Sequence, residues 1–154
     1  MVVRQKNAEL AKLAYGANYD QVMEAPVTIA LFTDTDLQKR ARKIARVGGV
    51  KNFTDEQLQY FMQNLPAEFA RYDAQQTSDY LALNAGLVAM NLVLALTDQG
   101  IGTNIILGFD KSKINEVLDI EERFRPEVLI TVGYAAEKVE PSYPLPVDEI
   151  IDKR

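Results

Sequence analysis

The side chains that most often run enzyme chemistry are missing here, and that narrows what the chain can do. Its 154 residues include no Cys and no His. Without Cys there are no disulfides, thiolate nucleophiles or Cys-ligated metals. Without His the commonest general base, the commonest metal ligand and every Ser-His-Asp arrangement are gone. Chemistry must come from carboxylates, Lys, Tyr or Ser, or from a bound cofactor. A redox cofactor suits such a chain, because hydride transfer is the cofactor's own chemistry and the protein only positions and tunes it.

The remaining motifs each have a plain reading. Gly100-x-Gly102 has the first two glycines of a dinucleotide fingerprint, but the third would fall at Ile105 and the pair follows a helix. It reads as a helix stop with a tight turn. Arg46-Val-Gly-Gly-Val-Lys51 lacks P-loop spacing and reads as a loop. Lys39, Arg40, Arg42, Lys43 and Arg46 form a basic run able to attract phosphate groups, although such runs on amphipathic helices are usually solvated faces. Glu121/Glu122 and Asp148/Glu149 are sequence neighbours, which point apart on a helix or strand and make poor acid/base pairs. Phe53, Tyr60, Phe61, Phe69 and Tyr72 suit helix-to-core packing, with a pocket for a flat aromatic substrate as the alternative. Seventeen basic against 22 acidic residues give a net charge of −5, which argues against nucleic acid as a partner. No metal site is expected.

These residues need a scaffold, and hydrophobic period supplies one. Leu10, Leu13 and Ala14 predict a helix over 5–15 ending at Gly16. Pro26 to Phe32 reads as a buried strand. Residues 36–46 form an amphipathic helix with Leu37, Ala41 and Ile44 on its apolar face, broken by Gly48-Gly49. Thr54-Asp-Glu-Gln57 has capping-box spacing and starts a helix through Leu65, with Pro66 opening another short turn. From Tyr80 to Leu96 nearly every residue is apolar, interrupted by Asn84, Gly86 and Asn91. A helix that is apolar all round is buried on all sides. The run is at the short limit for a membrane span and would carry two Asn into hydrocarbon, so a central helix buried between two subunits is expected. Gly102–Gly108 reads as a strand, Asp110 as the cap of a short helix ending near Leu118, and Glu127–Gly133 as a second strong strand. With Pro141, Pro144 and Pro146, the tail from Glu140 should be extended rather than helical, and its Val147, Ile150 and Ile151 need burial against another subunit. The first six residues have no apolar h-region, which makes the cytoplasm the expected location and Asn52-Phe-Thr54 a chance glycosylation match.

Three stretches together resemble the nitroreductase family. They are Asn7–Phe32 with Asn18-Tyr-Asp-Gln21, Ser78–Asp110 with Gly100-Ile-Gly-Thr-Asn-Ile-Ile-Leu-Gly108, and Arg125–Glu137 running into Pro141-Ser-Tyr-Pro-Leu-Pro146. The resemblance implies one α+β domain over 1–154, with a mixed sheet flanked by helices and a long buried central helix. It also implies a homodimer with an exchanged C-terminal arm. The implied function is FMN-dependent transfer of electrons from NAD(P)H to nitroaromatic, quinone or similar acceptors by a ping-pong mechanism, with no acid or base residue assigned. The alternative is a flavin-poor, nitroreductase-like dimeric scaffold without redox turnover. Asn18, Gln21, Ile105, Ile106, Leu107 and Gly108 match positions beside the flavin, and residues 53–72 match a helical lid, placing Tyr60, Phe61 and Phe69 at the substrate pocket. The resemblance further implies that the family's N-terminal flavin-phosphate segment is absent. Pro144 stands at an expected phosphate-binding Arg, and Ile105 and Leu107 replace a Pro and a small or acidic residue.

Overall fold

The computed structural model describes residues 2–3, 7–50, 53–136 and 143–152; Lys51, Asn52 and Pro141, singled out above, lie outside that set. The two strongest β-branched runs form the centre of the sheet. β2 (Val27–Asp34) and β4 (Phe124–Gly133) pair antiparallel from Val27–Val132 to Asp34–Phe124. β3 (Gly102–Ile106) lies on the other side of β4, and a short β1 (Val2–Val3), unanticipated from the sequence, adds to β2. The order is β1-β2-β4-β3. Every pairing among the described residues is antiparallel, which corrects the expectation of a mixed sheet. The reason is connectivity: the loops and short helix between β3 and β4 reverse the chain, and a parallel neighbour would need a full crossover.

Strand alternation sends side chains to two different environments. On one face Ala30, Ile106 and Leu129 meet Leu10 of α1 (Asn7–Ala11), Val22 of α2 (Asn18–Glu24) and Ile114 and Leu118 of α7 (Ile114–Leu118). This core is closed: Leu10, Val22, Ile106, Ile114 and Leu129 are at most 1% exposed. The expected first helix is shorter than its apolar spacing suggested, because residues 12–17 turn back to pair with 108–110.

The other face carries Val128 and Ile130 and is covered by α6 (Ala74–Asp98) through Ala89, Leu92 and Val93. Asp73 and Gln76 form a capping box that starts α6 ahead of the apolar run. At its end Gly100 takes φ +72°, while the Ile101 and Gly100 N–H groups bond the Leu96 and Thr97 carbonyls; only a residue free of a Cβ adopts this stop cheaply. All-round burial does not occur within one chain. Only Leu81, Ala85 and Ala89 of α6 are buried, whereas Leu83 is 66% and Leu87 63% exposed. One sheet can cover only one side of a helix.

Two further helical segments pack on each other beside the end of β2 and the first half of α6. α3 (Leu37–Val50) runs through Gly48-Gly49 instead of breaking there. Each Gly costs about 1 kcal/mol in a helix interior, and the docked stripe of Leu37, Ala41 and Ala45 offsets it. Ile44 lies off that stripe, with more than a third of its surface exposed. The Thr54–Gln57 capping box opens a continuous helix made of α4 (Asp55–Gln59), a widened π-type turn over Tyr60–Asn64, and α5 (Leu65–Phe69). Pro66 explains the widening: it has no N–H for the Met62 carbonyl, and the Leu65 N–H reaches back to the Tyr60 carbonyl.

Two further departures concern β4 and the tail. β4 extends upstream through Pro126, tolerated because β3 pairs only as far as Leu129 and leaves that stretch an edge. Between Leu31 and Phe32 the register shifts, so Glu127 bulges inward and is 8% exposed. Its carboxylate accepts from Thr33 and from Arg125 at 2.7 Å, and Arg125 in turn donates to the Ser78 hydroxyl at 2.8 Å, tying β2, β4 and α6 together. The tail is not wholly extended: Val147–Ile150 makes one helical turn, α8, because a Pro just before a helix leaves the following residues free to form it. Val147, Ile150 and Ile151 are all more than half exposed.

Candidate functional site

Among the described residues β3 is an edge strand, so half of its backbone hydrogen-bonding groups face away from the sheet. The residues that gather along this edge come from α2 and from the turn ahead of it. Gly16, at φ +56°, turns the chain so that Asn18 begins α2 instead of capping it. Asn18 then donates through Nδ2 to the Gly108 carbonyl at 3.2 Å, a carbonyl that also accepts the Tyr15 N–H at 2.9 Å. Gln21 lies three residues along α2 on the same side and accepts through Oε1 from Asn104 Nδ2 at 2.6 Å. The structure therefore brings Asn18, Gln21 and the 104–108 segment into one row.

The chemistry of this row is that of a shelf for a flat, polar-edged ring. Ile105 and Leu107 are 43% and 68% exposed and offer apolar contact. The N–H groups of Leu107 and Gly108 have no acceptor among the described residues. A Cβ on Gly108 would sit 2.8 Å from Asn18 Nδ2, so any larger residue displaces the Asn18 amide. At the Gln21 end a groove of about 410 Å³ is floored by Gly102 and Gly133 and flanked by Thr103 and Tyr134. A Cβ on Gly133 would strike the Pro26 ring at 2.9 Å, so the floor stays flat. Ile106 is placed differently from its neighbours. Its side chain is 1% exposed and belongs to the closed core, so only its backbone is available to a ligand.

The three aromatic pocket residues do not come together. Phe61 stacks on Phe53 with centroids 5.4 Å apart and meets Tyr60 edge-on. Phe69 instead joins Tyr72 and Tyr80 and lines a cavity of about 440 Å³ with Leu31, Leu37, Arg40, Tyr80 and Ala85. No residue of the β3 row lines that cavity. Among the described residues there is no cluster of metal-ligating groups.

A model of the nitroreductase family matches residues 1–134. A putative NAD(P)H nitroreductase of Streptococcus pyogenes is 60% identical over all of this chain, which spans 76% of that relative. The chain belongs to the nitroreductase family. The crystal structure of a nitroreductase family protein from Streptococcus pneumoniae superposes with a TM-score of 0.96 at 83% identity, covering all of this chain and 77% of that one. A putative nitroreductase from Exiguobacterium sibiricum, solved in complex with FMN, superposes at 0.90 with 27% identity over all of this chain and 75% of its own.

Within this nitroreductase-family fold, one more group beside the row is organised by local hydrogen bonds. Asp110 does not cap α7, whose first position follows Lys113. It accepts the Ser112 N–H at 3.0 Å and hydroxyl at 2.6 Å and pairs with Lys113 at 3.2 Å. The Ser112 hydroxyl, then Lys113, hold its carboxyl below the ordinary 3.8. Asn104 escaped the sequence reading altogether. Its position on the strand pointed to it, two residues from buried Ile106 and on the same side, but its partner lies 83 residues away.

Proposed function

We propose that this protein is an FMN-dependent oxidoreductase that takes electrons from NAD(P)H and delivers them to nitroaromatic, quinone or similar acceptors in ping-pong fashion. It works as a cytoplasmic homodimer of a single domain spanning 1–154. The observation that carries the reading is the row of Asn18, Gln21 and Gly108 along an unpaired strand edge, in a fold shared with a relative solved with FMN. The residues fit the group: a small residue where a Cβ would collide, free amide donors, and apolar neighbours on either side.

When bound, FMN supplies the redox chemistry, accepting hydride and releasing electrons. The chain's own work is positional. Asn18, its Nδ2 spent on Gly108, presents Oδ1 as an acceptor; the Leu107 and Gly108 N–H groups present donors. Fixed donors of this kind stabilise charge as it develops without reorganising. Ile105 and Leu107 keep water from the ring. No histidine is required.

The exposed side of α6 supports the homodimer. Leu83, Leu87, Val88 and Leu94 are each more than half exposed on one helix, and contiguous apolar surface of this kind marks an interaction site. α6 is also long and apolar enough to cross a membrane, but Leu81, Ala85 and Ala89 dock it onto the sheet, and the subunit contact accounts for the rest. A second chain also supplies what one chain lacks, a cover for the β3 row, with Tyr60, Phe61 and Phe69 of the α4–α5 helix as the expected substrate walls.

The test is anaerobic. NAD(P)H added to the FMN-loaded protein should bleach the flavin, a simple quinone should restore its colour, and steady-state rates should give parallel double-reciprocal lines. FMN that binds but is never bleached by NAD(P)H would instead support the alternative, a dimeric scaffold without turnover.

A further inference from the structure

Resting on the FMN reading above, we infer that Asn104 is a positioning residue that sets which way round the Gln21 amide faces the flavin. A glutamine amide is ambiguous as a recognition group, because a half-turn exchanges an acceptor for a pair of donors. Nothing in α2 itself fixes that choice, since Gln21 is exposed and its neighbours Asp20, Val22 and Glu24 give it no hydrogen bond. The choice is made from across the groove. Asn104 Nδ2 donates to Gln21 Oε1 at 2.6 Å, which turns the oxygen toward Asn104 and leaves both Nε2 hydrogens without a partner among the described residues. Asn18 is turned the opposite way, with one Nδ2 hydrogen directed to the Gly108 carbonyl and its Oδ1 left open.

The two ends of the row are thereby made complementary to different parts of one ring edge. The Gln21 end offers N–H donors to ring carbonyl or ring nitrogen acceptors, and the Asn18 end offers an oxygen to a ring N–H. An isoalloxazine carries both kinds of group on its pyrimidine side. Asn104 touches no ligand in this account; it acts through Gln21. Asn104 sits on β3 opposite Thr131, so the sheet fixes the backbone from which its amide reaches Gln21. A hydrogen bond of this length between two exposed side chains adds little to folding, which separates its role from stability.

The experiment is a double-mutant cycle on the full chain, with Asn104→Ala, Gln21→Ala and the pair, read by FMN affinity from fluorescence quenching and by the midpoint potential of the bound flavin. Asn104→Ala should weaken FMN roughly fivefold and lower the potential, as expected for losing one oriented hydrogen bond. In the Gln21→Ala background the same substitution should change neither quantity, because nothing remains to be oriented. Asn104→Asp should be worse than Asn104→Ala, since a carboxylate accepts from Nε2 and turns the Gln21 oxygen outward. Circular dichroism and thermal melts should be unchanged throughout. Independent, additive effects of the two alanine substitutions overturn the role of Asn104 while leaving the flavin assignment standing. A wild-type chain that takes up no FMN overturns the flavin assignment, and this inference with it.

Discussion

The two faces of the sheet are finished to different standards. Toward α1, α2 and α7 the side chains of Leu10, Val22, Ile106, Ile114 and Leu129 are essentially sealed within one chain. Toward α6 the sheet is covered, but the far side of the covering helix is left apolar and open, from Leu83 to Leu94. The β3 edge lies between them. Its side chains alternate, Ile106 into the sealed core and Ile105 toward the α6 side. The difference separates two jobs. The closed face fixes the α2 backbone that carries Asn18 and Gln21, because Val22 anchors α2 one residue from Gln21. The open face leaves room for whatever covers the site.

The largest effect that sharpens this contrast is on stability. Leu129→Ala, in the sealed face, should cost about 2–5 kcal/mol, whereas Leu87→Ala on the open side should change the stability of a monomer by less than about 0.5 kcal/mol. Urea melts of both variants at low protein concentration check this. Equal losses would mean that α6 is as enclosed as the sheet core. A dimer-breaking charge, Leu87→Glu, should shift sedimentation toward the monomer without unfolding the chain.

Next in size is the edge itself. Gly108→Ala puts a methyl group where Asn18 Nδ2 lies 2.8 Å away. It should weaken FMN binding by about tenfold, the equivalent of one displaced hydrogen-bonding group at about 1.4 kcal/mol. Gly86→Ala, a site with no atom within 4 Å of the added carbon in the chain, is the matched control for a Gly-to-Ala change on the α6 side. Binding unchanged in Gly108→Ala would remove Asn18 from the site.

The smallest effect is electrostatic. Ser112 and Lys113 stabilise the charged form of Asp110 and lower its pKa. Its contribution to folding is therefore present above the ordinary carboxylate value and disappears as pH falls through the lower, folded one. Asp110→Asn should flatten the acid limb of the stability profile slightly and change neutral stability little, since Asp110 is only partly buried and its ion pair with the exposed Lys113 is screened.

Much of this was legible from the residues. Thr54 with Gln57 announced its helix, Gly100 its helix stop, and the β-branched runs the two central strands. Asp73 and Gln76 carry the same capping signal, hidden because the polar turns after them drew the boundary to the apolar run. Gly48-Gly49 misled because intrinsic propensity is local, while Leu37, Ala41 and Ala45 hold α3 from outside. Ile105 and Ile106 look alike in sequence, and strand alternation separates one exposed residue from one sealed in the core. Strand alternation places Asn104, but its role is not legible in sequence, since its partner Gln21 lies 83 residues away. Apolar composition marks α6 as a helix to be covered between two subunits but does not say which chain covers it, and within one chain its far side stays open.

The central claim is that an edge strand and two oriented amides, with no imidazole or thiol, suffice to hold a flavin. Equilibrium dialysis of the purified wild-type chain against FMN, with the mass of the protein–flavin species measured by light scattering, tests it most directly. The account predicts FMN bound in proportion to chain on a particle of twice the chain's mass. A well-folded protein that leaves the flavin free in solution, whatever its mass, contradicts it.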